Sequence, residues 1–274
     1  MSVLKATLNP GNWWKQFPRS LRLIAKARLL ASIGTGGVIY LTPLVFNKIN
    51  FSATQIGSGI AAAALVGTVA RLISGAILDK GTKCSWPLFF TGFLSIIADF
   101  CLFNAQDYEG YLKGQLLIGI ATGFYWPAIE LAVPRSCQEF SSGKGFALVR
   151  SADALGVSLG AALGSIAAWM GSLRTVYVVD SFCMILFLGL IYKGNFNDIK
   201  SLENKTSKNL AQNTKNDFHW IKPLIPILGI SFLLTGILSL LQSALPIDLV
   251  RGGLFRPPLQ ESVTSILVSI QLGL

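Results

Sequence analysis

Apolar residues in this chain fall into long, almost uninterrupted runs at 27–46, 53–78, 86–103, 111–133, 146–170, 175–192 and 223–249, separated by short polar stretches. A helix needs about 20 mostly apolar residues to cross the hydrocarbon of a bilayer, so each of the seven is long enough to span. An eighth run, 262–274, is too short to cross as it stands. Neither strict alternation nor a one-sided helical period runs through these segments, and apolar character all the way round a helix marks a membrane span. The pattern predicts an all-α fold, a polytopic transmembrane helical bundle.

The polar stretches carry the orientation. Sixteen lysines and arginines fall on the side of the N-terminus: Lys5, Lys15, Arg19, Arg22, Lys26 and Arg28 before the first run, Lys80 and Lys83, Arg135 and Lys144, then six between Lys193 and Lys222. Five fall on the other side, namely Lys48, Lys113, Arg174, Arg251 and Arg256. Basic residues concentrate in cytoplasmic loops, so the N-terminus is expected in the cytoplasm and the plasma (inner) membrane is the expected location. The first run is not a cleaved signal peptide, since no small-residue cleavage site follows it before the next run.

The polar stretch between the sixth and seventh runs is the longest, rich in Asn and Lys, and it divides the chain. The expected organisation is a cytoplasmic N-terminal segment (1–26), a six-span bundle (27–193), a cytoplasmic linker (194–221) and the start of a second bundle (222–274).

Composition sharpens this. Hydrophobic residues are 52% and charged residues 13% of the chain, about half the charge of an average soluble domain, which excludes an ordinary soluble fold. Glycine, present 27 times, lets membrane helices approach closely. The net charge of +10 sits in short loops and not on a polar platform with aromatics, so no nucleic-acid partner is expected. Cys84, Cys101, Cys137 and Cys183 form no CxxC pair, and His219 is the only histidine. No metal site and no cofactor are therefore expected. Nor is there a nucleophile elbow, a His-backed carboxylate pair or a phosphate-cradling loop; the chain does not read as an enzyme.

Between the second and third runs the chain reads Gly75, Ala76, Ile77, Leu78, Asp79, Lys80, Gly81, Thr82, Lys83. This resembles the signature loop of the major facilitator superfamily, roughly G-x-L-A-D-R-x-G-R-K. Gly75, Asp79, Lys80 and Lys83 match in place, while the second glycine comes one position early, as Gly81. The family's fourth span often carries R-x-x-x-G; here Gln115 stands in place of the arginine associated with proton coupling, and Gly119 matches. Gly156, Gly160 and Gly164 match the glycine-rich fifth span of the antiporter branch, with Ala161 where that pattern has proline. The same three glycines equally fit a plain helix-packing face.

The resemblance implies a bundle of major-facilitator type, in which two six-helix halves built from three-helix repeats enclose a substrate path. On that reading the chain supplies the N-terminal half and an incomplete second half. It is expected either to belong to a longer protein or to work with a partner subunit. The implied activity is secondary active transport of a small molecule by alternating access, with a coupling proton or cation as a further partner. An amphipathic efflux substrate is the first expectation. A non-transporting membrane scaffold or assembly factor on the same fold is the alternative.

Charges inside apolar runs are costly and mark functional sites. Arg71 lies near the cytoplasmic end of the second run, and Arg150 and Asp153, three apart in the fifth, can neutralise each other or serve substrate or ion. Asp99 is expected to make a structural bond, and Asp180 to reach water or Arg174. In the fourth run Gln115, Gly119, Thr122, Trp126 and Glu130 share one helical face. With Tyr125, Tyr40, Thr42 and Gln242 they are candidates to line a path. The alternative is that Tyr125 and Trp126 pack beside Pro127 at a bend. Leu116 and Leu117 are expected to face lipid.

Overall fold

The computed structural model describes residues 14–138, 140–194, 225–253, 256–261, 263, 264, 266, 267 and 270. They form seven long helices: α1 (Arg19–Lys48), α2 (Ala53–Asp79), α3 (Ser85–Asn104), α4 (Tyr108–Ser136), α5 (Ser142–Trp169), α6 (Thr175–Lys193) and α7 (Ile225–Arg251). The first six are each long and apolar enough to cross a membrane, and the protein is an integral, multi-pass, all-α membrane protein. The linker expected at 194–221 and most of the eighth run lie outside the described residues.

Most of the helices outrun the apolar runs that predict them, because polar and capping residues can extend a helix beyond its apolar stretch. α1 begins at Arg19 behind Pro18, eight residues ahead of the run. Ser52 opens α2 with a reciprocal cap: its hydroxyl accepts the Gln55 N–H, and the Gln55 side chain accepts the Ser52 N–H at 2.9 Å. At α4, the Asp107 carboxylate accepts the Gly110 N–H at 2.9 Å. α2 stops where Gly81 takes φ +84° and donates its N–H to the Leu78 carbonyl at 3.0 Å. That left-handed turn is free of strain only for glycine.

The packing follows a pseudo-twofold rule. The most extensive helix contacts are α2 with α4 and α1 with α5, then α3 with α4 and α1 with α6, with α3 against α6 joining the two sets. Renumbering α1–α3 as α4–α6, and the reverse, turns each contact into another on the same list, as an inverted repeat requires. Helices of one repeat scarcely touch: α1 and α2 share only a marginal contact.

Two glycine-lined seams hold the repeats together. On α5, Gly156 lies against the Leu29 carbonyl and Ser32, Gly160 against the Ile33 backbone, and Gly164 against Leu41. A Cβ at position 160 would stand 2.9 Å from the Ile33 carbonyl carbon and 3.1 Å from the Gly37 nitrogen. In the symmetry-related seam, Gly119 of α4 meets the Ala63 backbone of α2, and Gly67 of α2 meets the Gly119 carbonyl. Lipid tails offer helices no hydrophobic drive to associate, so close van der Waals approach of this kind supplies much of the cohesion.

Two buried apolar clusters fill the bundle. One contains Leu21, Ile24, Leu88, Ile129 and Phe187; the other, toward the opposite ends of the helices, contains Leu41, Phe46, Ile56, Tyr111 and Tyr177. The outer faces show Leu65, Leu72, Phe93, Phe100 and Phe182, the inverse of a soluble surface and what a hydrocarbon solvent selects. Leu116 and Leu117, expected to face lipid, are only half-exposed, because α4 is clasped by α2 and α3. α7 joins the bundle near its end: Arg251 Nε donates to Asn47 Oδ1 at 2.8 Å and Nη2 to the Phe51 carbonyl at 3.0 Å, while Ile247 and Val250 cover the second cluster.

Candidate functional site

The interior charges gather into one network where α1, α4 and α5 meet. Arg28 of α1 pairs with Asp153 of α5, Nη2 to Oδ1, at 2.8 Å. Ser32, one turn on from Arg28, donates its hydroxyl to the same Oδ1 at 2.6 Å. The Arg28 guanidinium also lies over the Trp126 ring, 4.2 Å from its centroid, and 5.1 Å from that of Tyr125. Arg150 of α5 pairs with Glu130 of α4 at 2.5 Å and stands 5.4 Å from the Trp126 centroid. Its other nitrogen is 3.8 Å from Asp153 Oδ2.

The network grades from closed to open: the Arg28 side chain is 8% exposed and that of Arg150 54%. Arg28 is therefore held by one carboxylate, itself braced by the Ser32 hydroxyl, and two ring faces, a set that replaces the water it has lost. Arg150, Glu130 and one edge of Trp126 face outward. Two cations, two carboxylates and an indole on three helices form a balanced polar patch, able to exchange internal ion pairs for those of a charged or ring-bearing solute.

The Arg150–Asp153 pair predicted from their spacing is thus the weakest link in the network, since each residue has a nearer partner on another helix. Arg28 and Ser32 were not among the predicted site residues. Arg28 was counted with the N-terminal loop bases, although it lies inside the first apolar run, four residues from a serine on the same face. That placement was the signal available. Arg71 takes no part and is exposed on α2.

The remaining candidates fall elsewhere. Trp126 and Glu130 join the network, with Tyr125 edge-on to Trp126 at 5.9 Å. Gln115 is buried, Gly119 lies in the α2–α4 seam, and the Thr122 hydroxyl donates to the Ile118 and Gly119 carbonyls at 2.9 and 3.0 Å. Tyr40 is buried in the second apolar cluster. Gln242 lies on α7, its side chain outside the described residues. Of the loop motif, Gly75 ends in open space, and Asp79, Lys80 and Lys83 are exposed at the α2–α3 turn. Asp180 does not reach Arg174, which instead donates to the Phe103 and Ala105 carbonyls. No group of three metal-ligating side chains occurs among the described residues.

A six-helix membrane bundle with inverted three-helix repeats and a network of interior charges is the architecture of one half of a two-half membrane carrier. The chain belongs to the Major Facilitator Superfamily, whose family model matches residues 24–270. Comparison with curated proteins returns no match. Among solved structures it is similar to the nucleoside transporter NupG, with 14% identity and a TM-score of 0.69 over 93% of this chain and 64% of that one. It is also similar to a POT family transporter solved with 5-aminolevulinic acid: 16% identity, TM-score 0.58, covering 86% of this chain and 53% of that one. A third is a peptide transporter POT in complex with sulfate, at 15% identity and TM-score 0.55 over 82% and 46% of the two chains. The chain thus spans about two-thirds or less of the length of these structures, which share its fold and are transporters, not enzymes.

Proposed function

We propose that this chain forms part of a secondary transporter that moves a small organic solute across a membrane by alternating access, with the α1–α4–α5 network as its binding wall. The observation that carries this reading is the network itself, a satisfied but exchangeable set of opposite charges around Trp126, sited inside a membrane bundle where unneeded charge is costly. Its aromatic faces and paired charges suit an amphipathic solute with one ionised group. Export is the direction we favour, from the resemblance of the fifth helix to the antiporter branch. The transporters of similar fold are named for nucleosides and peptides, polar solutes that such a patch could also hold.

The domain division follows the same reading. Residues 27–193 are one wall, 194–221 a cytoplasmic linker, and α7 the first helix of the opposing half, completed by further helices of the same polypeptide or by a partner subunit. The N-terminus is cytoplasmic and the membrane is the plasma (inner) membrane. The coupling partner is a proton or cation exchanged at Asp153 or Glu130. Export of a fluorescent amphipathic cation from cells making the full-length protein is the test. Trp126→Ala and Asp153→Asn should each slow efflux at least tenfold at equal membrane abundance. Unchanged efflux in both variants would remove the network from the path.

A further inference from the structure

A second set of buried charges lies outside this network. Asp99 of α3 and Asp180 of α6 are 2% and 5% exposed, at a level between the two apolar clusters. The Ser181 hydroxyl donates to Asp99 Oδ2 at 3.0 Å. Two further oxygens, Asp99 Oδ1 and Asp180 Oδ1, are buried and receive no donor from any described residue. Ser181, which donates to Asp99, directly follows Asp180 in α6, so the packing of α3 on α6 brings the two acids side by side. The third wall is bare backbone: a Cβ at Gly34 of α1 would strike the Asp180 carboxylate and come within 2.9 Å of its Cα.

Among the described residues, the surroundings offer no paired cation. Tyr177 and Cys183 lie about one turn to either side of Asp180 on α6, and both are buried. α1 brings Gly34 to it, and among the described residues no lysine or arginine forms an ion pair with either acid. Arg174, the nearest base in sequence, is spent on two carbonyls. Two ionised carboxylates side by side, away from water and without a counter-ion, repel too strongly to persist. One carboxyl group can donate a hydrogen bond to the other only when it carries a proton. One proton between the pair satisfies both orphan oxygens and leaves a single, delocalised charge, the arrangement known from paired aspartates in hydrolytic enzymes.

We propose that Asp99 and Asp180 form a proton-binding site, a carboxyl dyad that holds one shared proton between α3 and α6 against the backbone of α1. The dyad bridges the two repeats at a contact that maps onto itself under their exchange. Removing the proton places two like charges face to face and favours parting α3 from α6. The site is independent of the α1–α4–α5 network and of whether that network carries a solute.

Infrared spectroscopy of the full-length protein in lipid nanodiscs at neutral pH tests this, with aspartate labelled with carbon-13 to assign the band. The wild type should show a protonated-carboxyl stretch that shifts on labelling and in heavy water and that declines as the pH is raised. Asp99→Asn and Asp180→Asn should each abolish it, because an asparagine amide donates to the remaining carboxylate and lets it ionise. If either variant fails to elute as a folded species, the labelled wild-type band decides alone. A wild-type spectrum without that band, or a band that survives in the Asp99→Asn/Asp180→Asn double variant, overturns the proposal. So does loss of the band on adding sodium at fixed pH, which would mark a metal-cation site.

Discussion

Replacing Arg28 by methionine tests the interior network most directly, because the structure sets what is lost and what can compensate. Breaking a buried ion pair from one side costs about 3–5 kcal/mol, since the surviving charge stays behind. Two features bear on that figure here. Asp153 keeps the Ser32 hydroxyl at 2.6 Å, a hydrogen bond to a charged group contributing about 1.5–3 kcal/mol. It also has Arg150 at 3.8 Å, whose half-exposed side chain contributes at most about 1 kcal/mol. Against this, the guanidinium leaves the Trp126 face, an interaction of about 2 kcal/mol when desolvated. The expected cost is about 3 kcal/mol.

Asp153→Leu alone should cost a similar amount, stranding Arg28. The double variant Arg28→Met/Asp153→Leu should cost clearly less than the sum, because no charge remains unpaired and Ser32 can turn to the carbonyl four residues back. Unfolding by SDS in mixed micelles, monitored by tryptophan fluorescence, gives the cycle. A coupling of about 2 kcal/mol or more is expected. Additive losses, or an Arg28→Met variant as stable as wild type, would refute the account of Arg28 as a charge held by its partners. Transport should fall in all three variants, the rescued double included, which separates binding from stability.

The Gly160→Ala variant should destabilise the bundle by about 1–3 kcal/mol, because its Cβ meets Ile33 backbone and no movable side chain; an unchanged SDS midpoint would count against the seam. Asp79→Ala should lower the transport rate at undiminished membrane abundance, since an exposed carboxylate contributes about 0–1 kcal/mol to stability; equal initial rates would separate the loop from function. In a background lacking Cys84, Cys101, Cys137 and Cys183, a cysteine at Gly143 should resist an impermeant thiol reagent in intact cells and one at Glu109 should react. The reverse pattern would invert the proposed orientation.

Span number and helix type were legible because the bilayer imposes a length and a polarity that single residues cannot disguise. The loop motif was legible because Gly81 must follow Lys80 for α2 to end in a left-handed turn. The inner chemistry was less so. Hydropathy places Asp153 in a span but cannot say which neighbour crosses it. That depends on the α1–α5 crossing, where Gly156 lies against Ser32 and brings residue 28 within reach. Spacing along α5 suggested Arg150, a partner present on the same helix, and the truer partner lay on another. Asp99 and Asp180 likewise looked unrelated because nothing local to either records that α3 and α6 meet. Tyr40, aromatic and on the first helix, resembled a cavity residue, but its tertiary surroundings are an apolar cluster.

The exchange of partners between repeats also constrains how the protein is made. α1, α2 and α3 have almost no contacts with one another, so the first three helices leave the ribosome with nothing to fold upon. Ser32 meets Asp153 only across 121 residues of sequence, which at about 5–20 residues per second is on the order of 6–25 s of synthesis. Through that interval the Arg28 charge lacks the Asp153 carboxylate and the glycine face of α1 lies open to lipid, whereas that of α2 is covered sooner, when α4 arrives. The nascent half is thus most vulnerable to degradation, and most in need of an insertase or chaperone beside it, in the window that closes when α5 arrives.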